Sequence, residues 1–170
     1  MKPSHIGSSV VNRLLGLLLF VAVSCCQAET LNGRVVGVVD GDTVDILTPD
    51  RELVRIRLAG IDAPEKAQPY GQRSKQKMSD LVFGKNAEVD FKKRDRYGRI
   101  IGKVTVNGRD ASLGLLDAGL AWHYKKYAGE QPVSDRATYA NAEDTARLSK
   151  IGLWRDELPT APWDWRRGNR

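Results

Sequence analysis

Six charged side chains fall at turns or strand ends, where the backbone can aim them. They are Asp40 and Asp42 in 40-DGDT-43, Asp62 and Glu65 in 60-GIDAPE-65, Arg57 five residues before Asp62, and Arg99 directly after 95-DRYG-98. Carboxylates gathered without partners repel, so a cluster of them requires a cation. Oxygen donors with no histidine or cysteine suit calcium or magnesium, not zinc. Arginines beside such a site fit a phosphodiester, because the planar guanidinium matches phosphate oxygens in pairs. Chemistry on that ester needs a nucleophile, usually water, and groups that stabilise the charge gathering on phosphorus. A spare carboxylate such as Glu65 is suited to orient and deprotonate the water.

Each residue also has an ordinary explanation. Asp40-Gly41 between two β-branched runs is a hairpin signal, since glycine accepts the positive φ of a two-residue turn. Glu65 after proline is an acid favoured at a helix start. Arg57 and its neighbour Arg55 are solvated strand positions, and Arg55 is left as one. Arg99 is a turn charge.

Absences narrow the chemistry. Past residue 28 the chain has one histidine, His123, and no cysteine, because Cys25 and Cys26 lie in the N-terminal region. Paired catalytic histidines and thiol chemistry are therefore excluded. No P-loop or dinucleotide fingerprint is present. Trp122 and Trp154 read as core, and His123 as a surface or packing residue.

The elements that position these groups follow from periodicity. Residues 33–47 alternate as two strands about the Asp-Gly turn, and 53–61 form a third, with Val54, Ile56 and Leu58 on one face and Arg55 and Arg57 on the other. Pro64 ends it. Helical spacing of Met78, Leu81 and Val82 predicts a helix over 70–83. Strands at 87–93 and 99–106, a short helix at 111–118 and a longer one at 134–150, N-capped by Ser134, complete the order. Five short strands with an intervening helix predict an α+β fold, a five-stranded OB-type β-barrel with about three packed helices. The tail 156–170, rich in Pro, Arg and Trp, is expected to be extended and partly mobile, with Trp163 and Trp165 packing back on the domain.

Taken in order, 40-DGDTVDI-46, 55-RIRLAGIDAPE-65 and 95-DRYGR-99, with 118-AGLAWHYKKY-127 and 151-IGLW-154, resemble the thermonuclease (staphylococcal-nuclease-like) family over roughly residues 33–155. The resemblance implies that Asp42, Asp62 and the backbone carbonyl of Ala63 ligate one Ca²⁺, with Asp40 outside its immediate ligands. Ala63 departs from the threonine of the best-known member. The resemblance further implies that Glu65 is the base that positions the attacking water. Arg57 and Arg99 grip the phosphate, and Arg96, Tyr97 and one of Tyr124 or Tyr127 contact the nucleotide. It implies hydrolysis of DNA and RNA to 3′-phosphate ends. The alternative is a catalytically silent OB-fold module that binds nucleic acid; the full acid and arginine set argues against it.

Residues 1–28, with Lys2 and Arg13 before 14-LLGLLLFVAV-23 and small residues at 26-CQA-28, read as an export leader cleaved after Ala28. The reading implies a periplasmic or secreted monomer, with membrane attachment only if the segment is retained or lipidated at Cys25. The 170-residue chain carries +6 charges, and losing Lys2 and Arg13 leaves +4. That balance favours polyanionic partners without identifying one.

Overall fold

The computed structural model describes residues 29–168, so the leader expected over 1–28 lies outside the described residues. Strands β1 (Glu29–Val38), β2 (Thr43–Leu47) and β3 (Leu53–Leu58) form an antiparallel meander. The free side of β1 pairs with β5 (Asn86–Arg94), which pairs antiparallel with β6 (Ile100–Val106). Parallel pairing of β6 with β3, Ile56 opposite Ile100 and Arg57 opposite Ile101, closes the sheet into a five-stranded mixed barrel. Two short strands, β4 (Ile61–Asp62) and β8 (Trp122–His123), pair outside it, and β7 (Arg109–Asp110) extends the β6 hairpin.

The barrel is the α+β, OB-type architecture that the strand order predicts. Val54, Ile56 and Leu58 point inward, joined by Val44, Ile46, Ile100 and Val104. Each such aliphatic side chain contributes about 1.5–3 kcal/mol when buried. A slip of one residue would turn Arg55 and Arg57 into the core, so the alternation fixes the register that aims Arg57. Helix α1 (Gly71–Val82) closes one part of the barrel with Met78 and Val82, and α2 (Ala111–Asp117) adds Leu115 and Leu116.

Several boundaries differ from expectation. The third strand stops at Leu58, because the chain turns through Gly60, at φ +76°, before resuming as β4. The long helix, α3 (Val133–Leu148), starts earlier than expected, at Val133, with Pro132 flanking it outside the helix; Ser134 lies inside it and does not cap it. The tail is not extended throughout. After a 3-10 turn at Gly152–Arg155 the chain forms a fourth helix, α4 (Pro162–Gly168), with Pro162 at its first position and Asp164 and Arg166 placed to suit the helix dipole. Among the described residues no helix is long and apolar enough to cross a membrane.

Candidate active site

The turn after β1 brings Asp42 to the barrel rim, where the Leu58 amide donates to its carbonyl at 2.8 Å and ties the turn to the end of β3. The Asp42 side chain is buried and fixed from three sides. Its Oδ2 accepts from the Ala63 amide at 2.6 Å, its Oδ1 from the Thr43 hydroxyl at 3.2 Å, and its own amide donates to Asp40 Oδ1 at 3.0 Å. Gly41 does not have the positive φ expected of it. It is required by space: a Cβ there would lie 2.0 Å from Ser74 Oγ and 2.7 Å from the Ala63 Cβ.

Asp62, on β4, is 0% exposed. Removing a carboxylate from water costs several kcal/mol unless it is well paired, and two guanidinium groups meet it. Arg57 Nη2 donates to Asp62 Oδ1 at 2.9 Å and lies 3.1 Å from Asp42 Oδ2, while Nη1 donates to the carbonyls of Leu58 and Ile61 at 3.0 Å each. One nitrogen of Arg57 therefore joins the two carboxylates. Burial pushes the Asp42 carboxyl up to about 7; Arg57 opposes this, and Asp40 and Asp62 add to it.

The second guanidinium belongs to Arg166, on α4, a residue that the sequence reading passed over. Its Nη2 donates to Asp62 Oδ2 at 2.7 Å, and its Nη1 donates to Glu65 Oε1 at 2.7 Å and to Asp62 Oδ1 at 3.2 Å. Hydrogen bonding to Asp62, against the cost of burial, raises the already high pKa of Arg166. The available signal was the proline-led, Trp- and Arg-bearing run 162–168, which has the chemistry of a short helix.

Glu65 stands on the loop between β4 and α1. The loop is compact: Gln68 takes the Glu65 carbonyl with its amide and the Glu65 amide with its Oε1, and a Cβ on Gly71 would meet the Glu65 carbonyl at 1.9 Å. The Glu65 carboxylate is about a third exposed, its side chain at 38%, so it faces both Arg166 and solvent.

Arg99, Arg96 and Tyr97 form a separate group on the β5–β6 turn. Arg99 Nε donates to Asp95 Oδ2 at 2.7 Å, and Asp95 also accepts from the Tyr97 and Arg99 amides. Desolvation raises the Asp95 carboxyl, but these hydrogen bonds outweigh it and hold the group below its ordinary value. Arg96 Nη2 donates to the exposed Tyr97 hydroxyl at 2.6 Å. Because Ile100 pairs with Ile56, this turn opens beside β3, across the seam from Arg57.

The two remaining tyrosines differ. The Tyr124 ring lies flat on Trp163, centroids 5.4 Å apart and planes at 4°, whereas Tyr127 is exposed with Lys93 and Lys126 beside it. Trp122 packs edge-on against Trp154 and Trp163, as expected of packing residues, and buried His123 bonds to Gln131 through Nε2. A cleft of about 540 Å³ runs between this aromatic group and α4, lined in part by Lys125, Lys126, Arg147, Arg166 and Arg167.

The donor set suits a hard divalent cation. Every candidate ligand is an oxygen, Asp42 and Asp62 converge on one point, and guanidinium groups already stand at that point as cations. Among the described residues no three acidic, histidine or cysteine side chains form a closed coordination shell. Backbone and water oxygens would have to complete one.

A closed OB-type barrel with paired carboxylates and arginines on its rim defines the structural class of this protein. Within it, the chain belongs to the staphylococcal nuclease family: the profile described as "Staphylococcal nuclease homologue" matches residues 55–156. An "uncharacterized endonuclease" of Haemophilus influenzae is 41% identical over 151 residues, 89% of this chain and 82% of the relative. "Micrococcal nuclease" of Shigella flexneri is 36% identical, with 93% of each chain covered. "Staphylococcal-like nuclease CAN1" of Arabidopsis thaliana is 40% identical over 68% of this chain and 34% of its own length.

Proposed function

We propose that the protein is a Ca²⁺-dependent endonuclease that hydrolyses DNA and RNA to 3′-phosphate ends. Membership of a nuclease family supports the coarse part, hydrolysis of nucleic acid. The observation that carries the finer part is the meeting of two buried carboxylates, Asp42 and Asp62, on one nitrogen of Arg57, with Glu65 drawn to the same cluster.

In this reading Asp42, Asp62 and the Ala63 carbonyl hold the cation, and Asp40 steadies Asp42 by taking its amide. A Ca²⁺ ion held by these oxygens would supply positive charge to offset the negative charge developing on the phosphoryl group. Glu65 orients a water molecule and takes its proton as the water oxygen bonds to phosphorus. The P–O5′ bond breaks on the opposite side, and the leaving oxygen takes a proton from solvent. Arg57 Nη2, which serves both acids in the structure, turns to a phosphoryl oxygen once those acids are otherwise neutralised. Arg99 supplies a second fork from across the seam. Arg96 and Tyr97 contact the strand from the β5–β6 turn. Tyr127 is the tyrosine that meets the nucleotide, since one face of Tyr124 is taken by Trp163. Export is part of the proposal and rests on the leader pattern of residues 1–28 alone.

The test is cleavage of single-stranded DNA and of RNA with CaCl₂, with MgCl₂ and with a chelator, alongside a folded Glu65→Gln control. Calcium-dependent cleavage that the control lacks is the expected result. Tight binding without cleavage in any metal would identify a silent nucleic-acid-binding module.

A further inference from the structure

We propose that Arg166 is a tethered counter-ion of the acid cluster, which a divalent cation must displace from Asp62 and Glu65, so that the last helix sets the protein's affinity for the metal. The inference rests on the metal-dependent reading above and adds a residue and an element to it.

Guanidinium hydrogen bonds take three of the about four acceptor sites of Asp62. Its Oδ1 takes hydrogen bonds from both Arg57 and Arg166, and its Oδ2 takes the second arm of Arg166. A cation drawn to Asp62 meets two guanidinium charges at contact distance, and coordinating there displaces one of them. The two arginines are not equally removable. Arg57 rises from a strand paired on both sides, spends Nη1 on two backbone carbonyls and is 15% exposed. Arg166 is 38% exposed, rises from a seven-residue helix, and directs its hydrogen bonds to the two acids it bridges. Arg166 is the group that yields.

The helix is nevertheless held in place. Trp163 stacks on Tyr124 and meets Trp122 edge-on, Ala161 and Pro162 are buried, and Gln68 Nε2 donates to the Thr160 carbonyl at 2.7 Å. Gln68 is also the residue that folds the Glu65 loop. The tail is thus tied to the loop carrying one acid and ion-paired to both. A guanidinium held at that position has a high effective concentration at the acids, against which the metal competes. Once displaced, Arg166 remains on the wall of the cleft that also bears Lys125, Lys126 and Arg167, so its charge stays close. In the metal-free protein Arg166 acts as a positioning residue, holding Asp62 and Glu65 in a fixed relation.

The experiment is calorimetric titration of CaCl₂ into the full-length protein, wild type and Arg166→Gln, without nucleic acid. Removing the competitor tightens calcium binding about tenfold, in the usual range for coupled sites. Equal or weaker affinity in Arg166→Gln overturns the proposal. Trp163→Ala keeps the guanidinium but loosens its helix, and it serves as the second variant should Arg166→Gln fail to fold. Tighter binding there supports the exchange, and unchanged affinity overturns it. Absence of calcium binding in every folded variant would instead overturn the metal-dependent reading, and this proposal with it.

Discussion

The Ala63 amide donates to Asp42 Oδ2 at 2.6 Å, a bond between residues 21 apart in sequence that joins the first turn to the segment carrying Asp62 and Glu65. It crosses directly beside Gly41, whose missing side chain leaves the room for the approach. Gly41→Ala inserts a methyl group where Ser74 and Ala63 already stand. The expected cost is about 1–3 kcal/mol of stability, typical of overpacking, with weaker calcium binding because Asp42 moves. Urea denaturation and calcium titration of the variant measure the two effects.

Arg57→Lys keeps the charge and loses the fork. The guanidinium serves two carbonyls and two carboxylates at once, which an ammonium group on a shorter reach cannot do. Turnover is expected to fall by about a hundredfold or more, and stability by about 2 kcal/mol as acceptors lose their donor. Steady-state kinetics and a thermal melt check both.

Arg55→Ala is the contrasting case. Arg55 pairs with Asp45 through Nε and Nη2 on the same face of the strand as Arg57, two residues before it. Exposed pairs contribute about 0–1 kcal/mol, so both stability and turnover should stay near wild type. A loss of activity comparable to that of Arg57→Lys would show that substrate contact extends along this face to Arg55.

Glu65→Gln removes the proposed base but retains its shape. The expected effect is a drop in kcat of about 10²–10⁴, with DNA affinity nearly unchanged. Filter binding alongside kinetics separates the two, and an equal loss of both would remove Glu65 from the role of base.

Asp95 is the pH-sensitive fastening of Arg99. Its carboxyl is held below the ordinary value of 3.8 by the Arg99 side chain and two amides, which outweigh desolvation. A carboxyl lowered by folding stabilises the fold fully above its unfolded value, and the contribution fades as pH falls through the lower folded value. The β5–β6 turn should therefore loosen only in strong acid. NMR of the Tyr97 and Arg99 amides would show it, and Asp95→Asn should produce the loosening at neutral pH.

Much of the barrel could be read from the chain because its causes are local. The alternation of 53-LVRIRL-58 is a period of two that any buried sheet face enforces, and Asn107-Gly108 adopts the positive φ values that its hairpin demands. The DGDT turn was found for a partly wrong reason, since Gly41 serves a tertiary approach and not a turn conformation. Arg166 was missed because its meaning is non-local. Its partner Asp62 lies 104 residues earlier, and a seven-residue helix shows too little periodicity to announce itself. Choosing between Tyr124 and Tyr127 likewise depended on Trp163, a neighbour that only the folded chain supplies.

The parallel pairing of β3 with β6 has a kinetic consequence. Asp42 and Arg57 sit on the N-terminal meander, whose hairpins close short loops, whereas Arg99 joins them only across the Ile56–Ile100 seam. Closing a long loop carries an entropic cost that is met late, when few other contacts remain to form. The second fork should therefore arrive last during refolding, and recovery of cleavage should lag behind recovery of the far-ultraviolet β signal in a stopped-flow experiment. Coincident recovery would place the seam in the folding nucleus. A newly made chain, on this account, acquires its cutting power only at the final step of its folding.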